Sequence, residues 1–466
     1  MPRKHFMAGL ALAVGLAGAG PALAQSCQNN PGQFPAWLDA FRAEAAAAGI
    51  SQNAIAALNG VGYRQDIVNR DRAQGVFSQT FLEFSDRMVS QYRLDTGFAR
   101  LNQYASLFAS VEQQTGVPGA VIVAFWALET DFGANTGDEN TISALATLAF
   151  DCRRPEQFRP QLLDALRILD RGDLTLSQLR GAWAGEIGQV QFQPTDYLRS
   201  GVDADGNGRV DLLNDTADII ASAGNLIAYH GWQRGQPWLE EVTLTQALPW
   251  EQADVYNMLP RSQWAGWGVV RRDGSALPSD RTPASLLLPM GRNGPAFLAY
   301  DNFHVFLDWN ESLVYSTTAA YLATRFAGAP RVSRGGTVNS LSLDQIRELQ
   351  RLLVGQGFNV GAIDGIIGAQ TRIAVRTMQQ RLGLPADGYP TTELLGAMRG
   401  TPVPAGLSQS QIAELQSLLA ARGYDVGPID GIMGARTRAA ITAVQQQLGL
   451  PADGIPTEEL LARLRG

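Results

Sequence analysis

Lysine is almost missing from this 466-residue chain: Lys4 is the only one. The three histidines are His5, His230 and His304, and the two cysteines are Cys27 and Cys152. These shortages remove whole reaction classes. A phosphate-loop lysine, a Schiff base, a histidine-rich zinc site and a free-thiol hydrolase all lack their parts. A serine–histidine–carboxylate triad survives on residue count, but no G-x-S-x-G elbow is present. Past the first residues, no stretch reaches the ~18 uninterrupted apolar residues of a membrane-spanning helix. Carboxylate chemistry is what remains.

The chain opens with Arg3-Lys4, an apolar stretch from Phe6 to Gly20, and Pro21-Ala22-Leu23-Ala24 before Gln25. This pattern predicts a cleaved secretory leader over residues 1–24 and an exported, periplasmic protein. Gln25-Ser26 fit poorly with the signal for lipid attachment at Cys27, so no acyl anchor is expected. In an oxidising compartment the lone pair Cys27 and Cys152 most simply forms one disulfide, tying the start of the exported chain to the core. Removing Arg3 and Lys4 leaves 35 basic against 44 acidic residues, a formal charge of −9. That balance argues against a nucleic-acid partner.

Residues 341–400 and 407–466 align without a gap at an offset of 66, with 37 identities in 60 positions. This is a tandem duplication. Each copy opens with an apolar-spaced helix, marked by Ile346, Leu349, Leu352 and Leu353 in the first and Ile412, Leu415, Leu418 and Leu419 in the second. A glycine-rich turn, a second helix, L-G-L-P-A-D-G and a short third helix follow. The turns at Asp364-Gly365 and Asp430-Gly431 precede Thr371 and Thr437, which read as helix-capping residues. Stretches 327–340 and 401–406, rich in Gly, Pro, Ser or Thr, read as linkers. Residues 25–326 read as mainly helical, with helical spacing at Phe98–Glu112 and Gln161–Leu169. A β-rich insertion is expected at Glu241–Ala247 and Ala284–Tyr300. All nine tryptophans, Trp37 to Trp309, lie upstream of the repeats, so any stacking of sugar rings on indoles belongs there.

Eight apolar residues, Val121 to Leu128, lead into Glu129-Thr130-Asp131-Phe132-Gly133. Such a run belongs in a core, and a carboxyl carried into it on the last turn of a helix resists ionisation. It then stays protonated near neutral pH and can donate to a leaving group. Asp131, about 200° further around a helix, cannot face the same atom. Two readings of Glu129 stand: a lone general acid, or a structural carboxylate paired with Arg153 or Arg154. A second dense segment runs from Leu179 to Tyr197, with Gly181, Gly185 and Gly188 and the neutral side chains Gln189, Gln191 and Gln193. It fits an uncharged groove for hydroxyl and acetamido groups, or a glycine-rich loop that only packs on helices. Nothing in the sequence sets its Glu186 opposite Glu129. In the aromatic run from Ala299 to Tyr315, Asn310 and Tyr315 stand out from core packing. Asp203, Asp205, Asn207, Arg209 and Asp211 occupy the first ligand positions of an EF-hand-type loop, with Gly208 and the turn glycine Gly206 between them. The twelfth position is Asn214 rather than Glu, with Asp215 and Asp218 as substitutes. The loop reads as a structural calcium or sodium site or as a plain Asx-rich turn.

Taken in order, five stretches carry a likeness: M-V-S-Q-Y-R-L at 88–94, A-L-E-T-D-F-G at 127–133, G-E-I-G-Q-V-Q-F-Q-P at 185–194, the acidic loop at 203–211, and Y-D-N-F through W-N-E-S at 300–312. With them, residues 33–326 resemble the membrane-bound lytic transglycosylase B family of bacterial murein lyases. The duplicated units resemble the small three-helix peptidoglycan-binding domain. The resemblance implies a mainly α, lysozyme-like catalytic domain with a small β-rich insertion, followed by two three-helix units. It implies that Glu129 is the sole catalytic residue, that Gln191, Asn310 and Tyr315 contact substrate, and that no cofactor is required. The implied reaction opens the bond between N-acetylmuramic acid and N-acetylglucosamine without water, leaving 1,6-anhydromuramyl ends. Ala182 stands where some members have serine, and Trp309 where some have tyrosine. The implied partners are glycan strands, held by two tail units that raise avidity on a polymeric wall, and an otherwise monomeric protein. A hydrolytic muramidase on the same fold and a catalytically decayed wall-binding scaffold are the rival readings.

Overall fold

The computed structural model describes residues 30–72, 79–336, 338–400, 407, 409–429, 431, 435–450, 452, 454 and 456–465. The expected leader at 1–24, Cys27, the 401–406 connector and Asp430 lie outside them. The chain is mainly helical, and its organising element is the Gly119–Thr130 helix. Residues Val121 to Leu128 are all buried, as expected of a helix that is apolar on every side. It starts after Pro118 in an extended conformation and stops at Asp131, whose φ of 51° is left-handed.

Around this helix pack Leu313–Phe326, Gln91–Gln103 and Ala105–Thr115. Gly97 allows the closest of these approaches. A Cβ there would sit 2.3 Å from the Phe326 ring and 3.1 Å from Val123. The expected helix over Phe98–Glu112 is instead two helices, Gln91–Gln103 and Ala105–Thr115, broken at Tyr104 (φ −111°, ψ 28°). Apolar spacing continues across the break, so it concealed a change of direction. Gln161–Leu169 falls inside the Pro155–Arg171 helix as expected.

The β-rich insertion is a sheet with its own core. A two-residue pairing of β1 (Glu139–Asn140) with β2 (Arg180–Gly181) lies apart from it. The sheet itself comprises β3 (Leu239–Leu244), β4 (Leu259–Pro260), β5 (Val269–Arg271), β6 (Pro283–Leu287) and β7 (Ala296–Ala299), in the order β4-β6-β7-β3-β5. Pairing is antiparallel throughout, with Leu239 opposite Ala299 and Leu286 opposite Leu298. Trp264, fully buried beneath it, donates Nε1–H to Ala284 O at 2.8 Å. This sheet leads directly into the Asp301–Trp309 and Leu313–Phe326 helices.

Each repeat forms three helices over a separate core: Leu343–Gly355, Ala369–Arg381 and Thr392–Met398, then Gln409–Ala420, Ala435–Gln447 and Glu458–Arg465. Ser342 and Gln345 make a capping box at the first of these. Thr371 does not cap. It is buried, and its hydroxyl donates to Val360 O at 3.2 Å, while Gly368 holds the N-cap position. Within the 327–340 stretch, residues 331–334 are anchored along the surface. Arg331 and Arg334 pair with Asp86 at 2.6 and 2.7 Å, and Val332 N–H donates to the Tyr321 hydroxyl at 3.0 Å. Among the described residues no helix is long and apolar enough to cross a membrane.

Candidate active site

Glu129 occupies the last turn of the central helix and borders a cleft of about 250 Å³. The helix end is rigid because Thr130 Oγ1 donates to Gln189 O at 2.5 Å and accepts from Gly133 N–H at 2.9 Å. Two distant donors converge on one carboxyl oxygen. Trp309 Nε1–H donates to Glu129 Oε1 at 2.9 Å, and the Tyr315 hydroxyl donates to the same atom. Both bonds go to Oε1, which leaves Oε2 to carry a proton toward the cleft. Trp309 is itself fixed by stacking on Phe125, centroids 4.1 Å apart.

Burial pushes the Glu129 carboxyl from its ordinary 4.5 up to about 7. The Tyr315 and Trp309 hydrogen bonds oppose the shift, and the nearby Glu186 adds to it. Neither Arg153 nor Arg154 pairs with Glu129, since both reach Asp71 instead. The structural ion-pair reading of Glu129 is therefore corrected. Asp131 turns away as expected, accepting from Arg93 Nε at 2.6 Å.

The Gly-rich segment forms the opposite wall. Gly181 is required for close approach, because a Cβ there would fall 1.8 Å from Glu186 O. Gln191 adopts φ 53° and donates Nε2–H to Thr136 O at 3.1 Å and Gly188 O at 2.9 Å. Its Oε1 is left to accept from a ligand. Gln193 also lines the cleft, with a buried, unpartnered Oε1. Gln189 is structural: its Oε1 accepts from Trp126 Nε1–H at 2.9 Å and its Nε2 donates to Leu213 O at 2.7 Å. Asn310 lines the cleft and accepts from Ser312 N–H on Oδ1 at 2.9 Å, leaving its NH₂ end available. Tyr315 is placed behind Glu129, and its hydroxyl is used on that carboxyl. Among the described residues the only non-glycine positions with positive φ are Asp131, Phe132 and Gln191. Gln191 lines this cleft and the other two follow Glu129 in the chain; a strained backbone of this kind costs ~1–3 kcal/mol and is held by its surroundings.

Two residues named in the sequence reading without a site role belong to the site. Trp309 was marked there only as standing where some family members have tyrosine, although the polar break W-N-E-S beside it was a further signal. Glu186 lines the same cleft as Glu129, so Glu129 is not alone there. Burial raises the Glu186 carboxyl, and its Oε2 has no partner. A Tyr315→Phe variant should move the alkaline limb of the pH–rate profile upward, because it removes a donor that favours ionised Glu129. An unmoved limb, measured as kcat/KM against pH, would contradict that link.

The acidic loop gathers part of the expected ligand set. Asp203, Asp205 and Asp218 bring carboxyl oxygens within 4.8 Å of one another. Asp218 is fully buried, and its oxygens accept from Ala204 N–H and Asp211 N–H at 2.7 and 2.8 Å. Asp211 turns aside to the backbone of Leu213 and Asn214. Asn207 bonds Asp205 at 2.9 Å, and Arg209 is exposed. Three carboxylates so close, one of them buried, fit a hard cation.

Residues 33–324 match the transglycosylase SLT domain family, and residues 342–398 and 408–464 each match a peptidoglycan binding domain. The chain is 29% identical over 239 residues to membrane-bound lytic murein transglycosylase B of Escherichia coli, covering 51% of this chain and 64% of that protein. It thus spans just under two thirds of that relative. SltB3 from Pseudomonas aeruginosa, solved in complex with NAG-anhNAM-pentapeptide, is 40% identical, with a TM-score of 0.73 over 78% of this chain and 99% of its own. Escherichia coli Slt35, solved in complex with calcium, is 25% identical, with a TM-score of 0.55 over 62% of this chain and 92% of its own. From its first helices to the end of the aromatic run, the chain belongs to the transglycosylase SLT domain family.

Proposed function

We propose that this chain is a lytic transglycosylase that cleaves the MurNAc–GlcNAc bond of peptidoglycan without water and leaves 1,6-anhydromuramyl ends. One observation carries the reading: a carboxyl at the end of a buried helix, held on one oxygen by Trp309 and Tyr315 and raised to about 7. Such a group is poised to act both as acid and as base near neutral pH. Glu129 first gives its proton to the glycosidic oxygen as the bond to the anomeric carbon breaks. The resulting carboxylate then takes the proton of the muramyl C6 hydroxyl as that oxygen bonds to the anomeric carbon. Glu129 ends protonated, so the cycle closes without another reactant. Gln191 and Asn310 offer an acceptor and a donor to the sugar, while Tyr315 and Trp309 hold Glu129. The ligand of the SltB3 complex, which carries anhNAM, supports this chemistry.

Hydrolysis on the same scaffold is the second reading, and Glu186 in the cleft is what favours it. Ordinary hydrolysis uses a second, ionised carboxylate as base or nucleophile, and the burial that raises the Glu186 carboxyl works against that role. Mass spectrometry of sacculus digests decides between them. Anhydro ends, one water lighter than reducing ends, are expected, and a digest containing only reducing ends would overturn the proposal.

The same reading places the protein in the periplasm as a monomer, exported by removal of residues 1–24 and cross-linked through Cys27 and Cys152. Its parts would be the catalytic domain at 25–326, connectors at 327–340 and 401–406, and wall-directed units at 341–400 and 407–466. Asp203, Asp205 and Asp218 would hold a structural calcium ion. Calcium at about ten times a dissociation constant near 1 mM should add about 1.4 kcal/mol, or about 2–4 °C in Tm, reversed by chelation. A Tm indifferent to both would leave the loop as a turn.

A further inference from the structure

The two tail units keep the same folding residues and differ where the first is seated. In each, a glutamine of the first helix, Gln350 or Gln416, accepts a turn glycine N–H, from Gly365 or Gly431, at 2.8 Å. The same side chains reach Thr371 and Thr437 at 3.4 and 3.2 Å. Gln379 and Gln445 repeat the device with Gly388 and Gly454 at 2.9 and 2.8 Å. Arg399 pairs with Glu348, and Arg465 with Glu414, at 2.5 and 2.7 Å. Both copies therefore keep the bonds that make a three-helix unit.

The first unit is fastened to the catalytic domain. Half-buried Arg372 donates to Leu288 O and Pro289 O at 3.3 and 2.8 Å. Arg376 forks between Asp254 Oδ2 at 2.6 Å and Ala253 O at 3.0 Å. Asp387, 2% exposed, accepts from Arg292 N–H at 2.9 Å. Tyr389, 3% exposed, joins the main core, and it lies so near Gly291 that a Cβ there would meet its own Cβ at 2.9 Å. At the offset of 66, Arg438 and Asp453 repeat two of these residues, but Arg376 is replaced by Thr442, Tyr389 by Ile455 and Ile367 by Met433. A threonine cannot reach as a guanidinium fork does, and isoleucine lacks the hydroxyl that Tyr389 sets against Ser340 Oγ at 3.2 Å.

We infer that the duplication has divided the labour: the first unit is a fixed part of the catalytic body, and the second is the unit that grips the wall polymer. The seated unit walls a cavity of about 520 Å³ shared by Asn310, Leu313, Ile366 and Arg372. Asn310 also lines the Glu129 cleft, so the two cavities share that residue, and the fastened face of the first unit is closed to glycan–peptide polymer. This inference rests on the wall-directed reading above.

The test uses the full chain with a specific protease site placed in the 401–406 connector, in a Glu129→Gln background so that the sacculi persist. The uncut protein should sediment with purified sacculi. After the cut, the body carrying the first unit should move to the supernatant, its retained fraction falling at least about tenfold, while the 407–466 piece stays bound. A body that stays bound after the cut overturns the division of labour. An uncut chain that never sediments overturns the wall-directed reading itself. In the uncut chain, Arg376→Thr with Tyr389→Ile should increase proteolysis within 327–340 and leave sacculus retention intact. Lost retention in that variant would assign wall binding to the first unit and overturn the inference.

Discussion

Glu129→Gln should leave the protein folded and lower glycan cleavage at least about 10³-fold, equivalent to about 4 kcal/mol of barrier. The amide preserves the shape, and its oxygen still accepts from Trp309 and Tyr315, so packing at the helix end is unchanged. What is lost is the proton, and both halves of the proposed cycle need it. Asp131 does not replace it, because it is paired with Arg93. Glu186→Gln is the matched comparison, because it swaps a carboxyl for an amide in the same cleft, and it should cost less than about tenfold because the proposed cycle uses Glu129 alone. Initial rates on purified sacculi, with products separated by mass, measure both variants. Equal losses in the two would point to a pair of working carboxyls and hence to hydrolysis.

How much of this was legible in the sequence depended on distance along the chain. An apolar run ending in a carboxylate is local, so the burial of Val121–Leu128 and the unusual place of Glu129 could be read from thirteen residues. The mainly α class, the small sheet and the repeats were likewise carried by local periodicity and self-similarity. Trp309 and Tyr315, by contrast, come from 180 and 186 residues further on, and no pattern near either announces a shared acceptor. Glu186 reaches the cleft through a hairpin-like pairing of Gly181 with Ile187, which depends on the close approach that a missing Cβ permits. Gln189 looked like its neighbours Gln191 and Gln193, yet its amide is committed to Trp126 and Leu213. The 327–340 stretch had a linker's composition and nevertheless lies fastened, because Asp86 and Tyr321 supply partners that only the tertiary fold brings near. Local chemistry was visible; partner choice across the fold was not.

The raised Glu129 pKa also predicts a stability difference that reverses the usual expectation for a damaged active site. Unfolded, the carboxyl titrates near 4.3; folded, it titrates at about 7. Below the lower value both states hold the proton, and burying a neutral acid carries no electrostatic penalty. Between the two values the folded protein keeps a proton that the unfolded chain has released, so stability falls as pH rises. Above pH 7 the native state holds a buried charge, at a total penalty of about 4 kcal/mol. Glutamine has no such charge. Glu129→Gln and wild type should therefore melt together near pH 4 and diverge through pH 5–7. By pH 8 the variant should be more stable by about 4 kcal/mol, or about 6 °C for a domain of about 300 residues. Activity should follow the opposite logic, with wild-type kcat/KM falling as pH rises through about 7 because the free enzyme has lost the proton it must donate. Melting curves that stay parallel from pH 4 to pH 8 would show that Glu129 ionises as an ordinary carboxylate, and the acid role assigned to it would fail with that result.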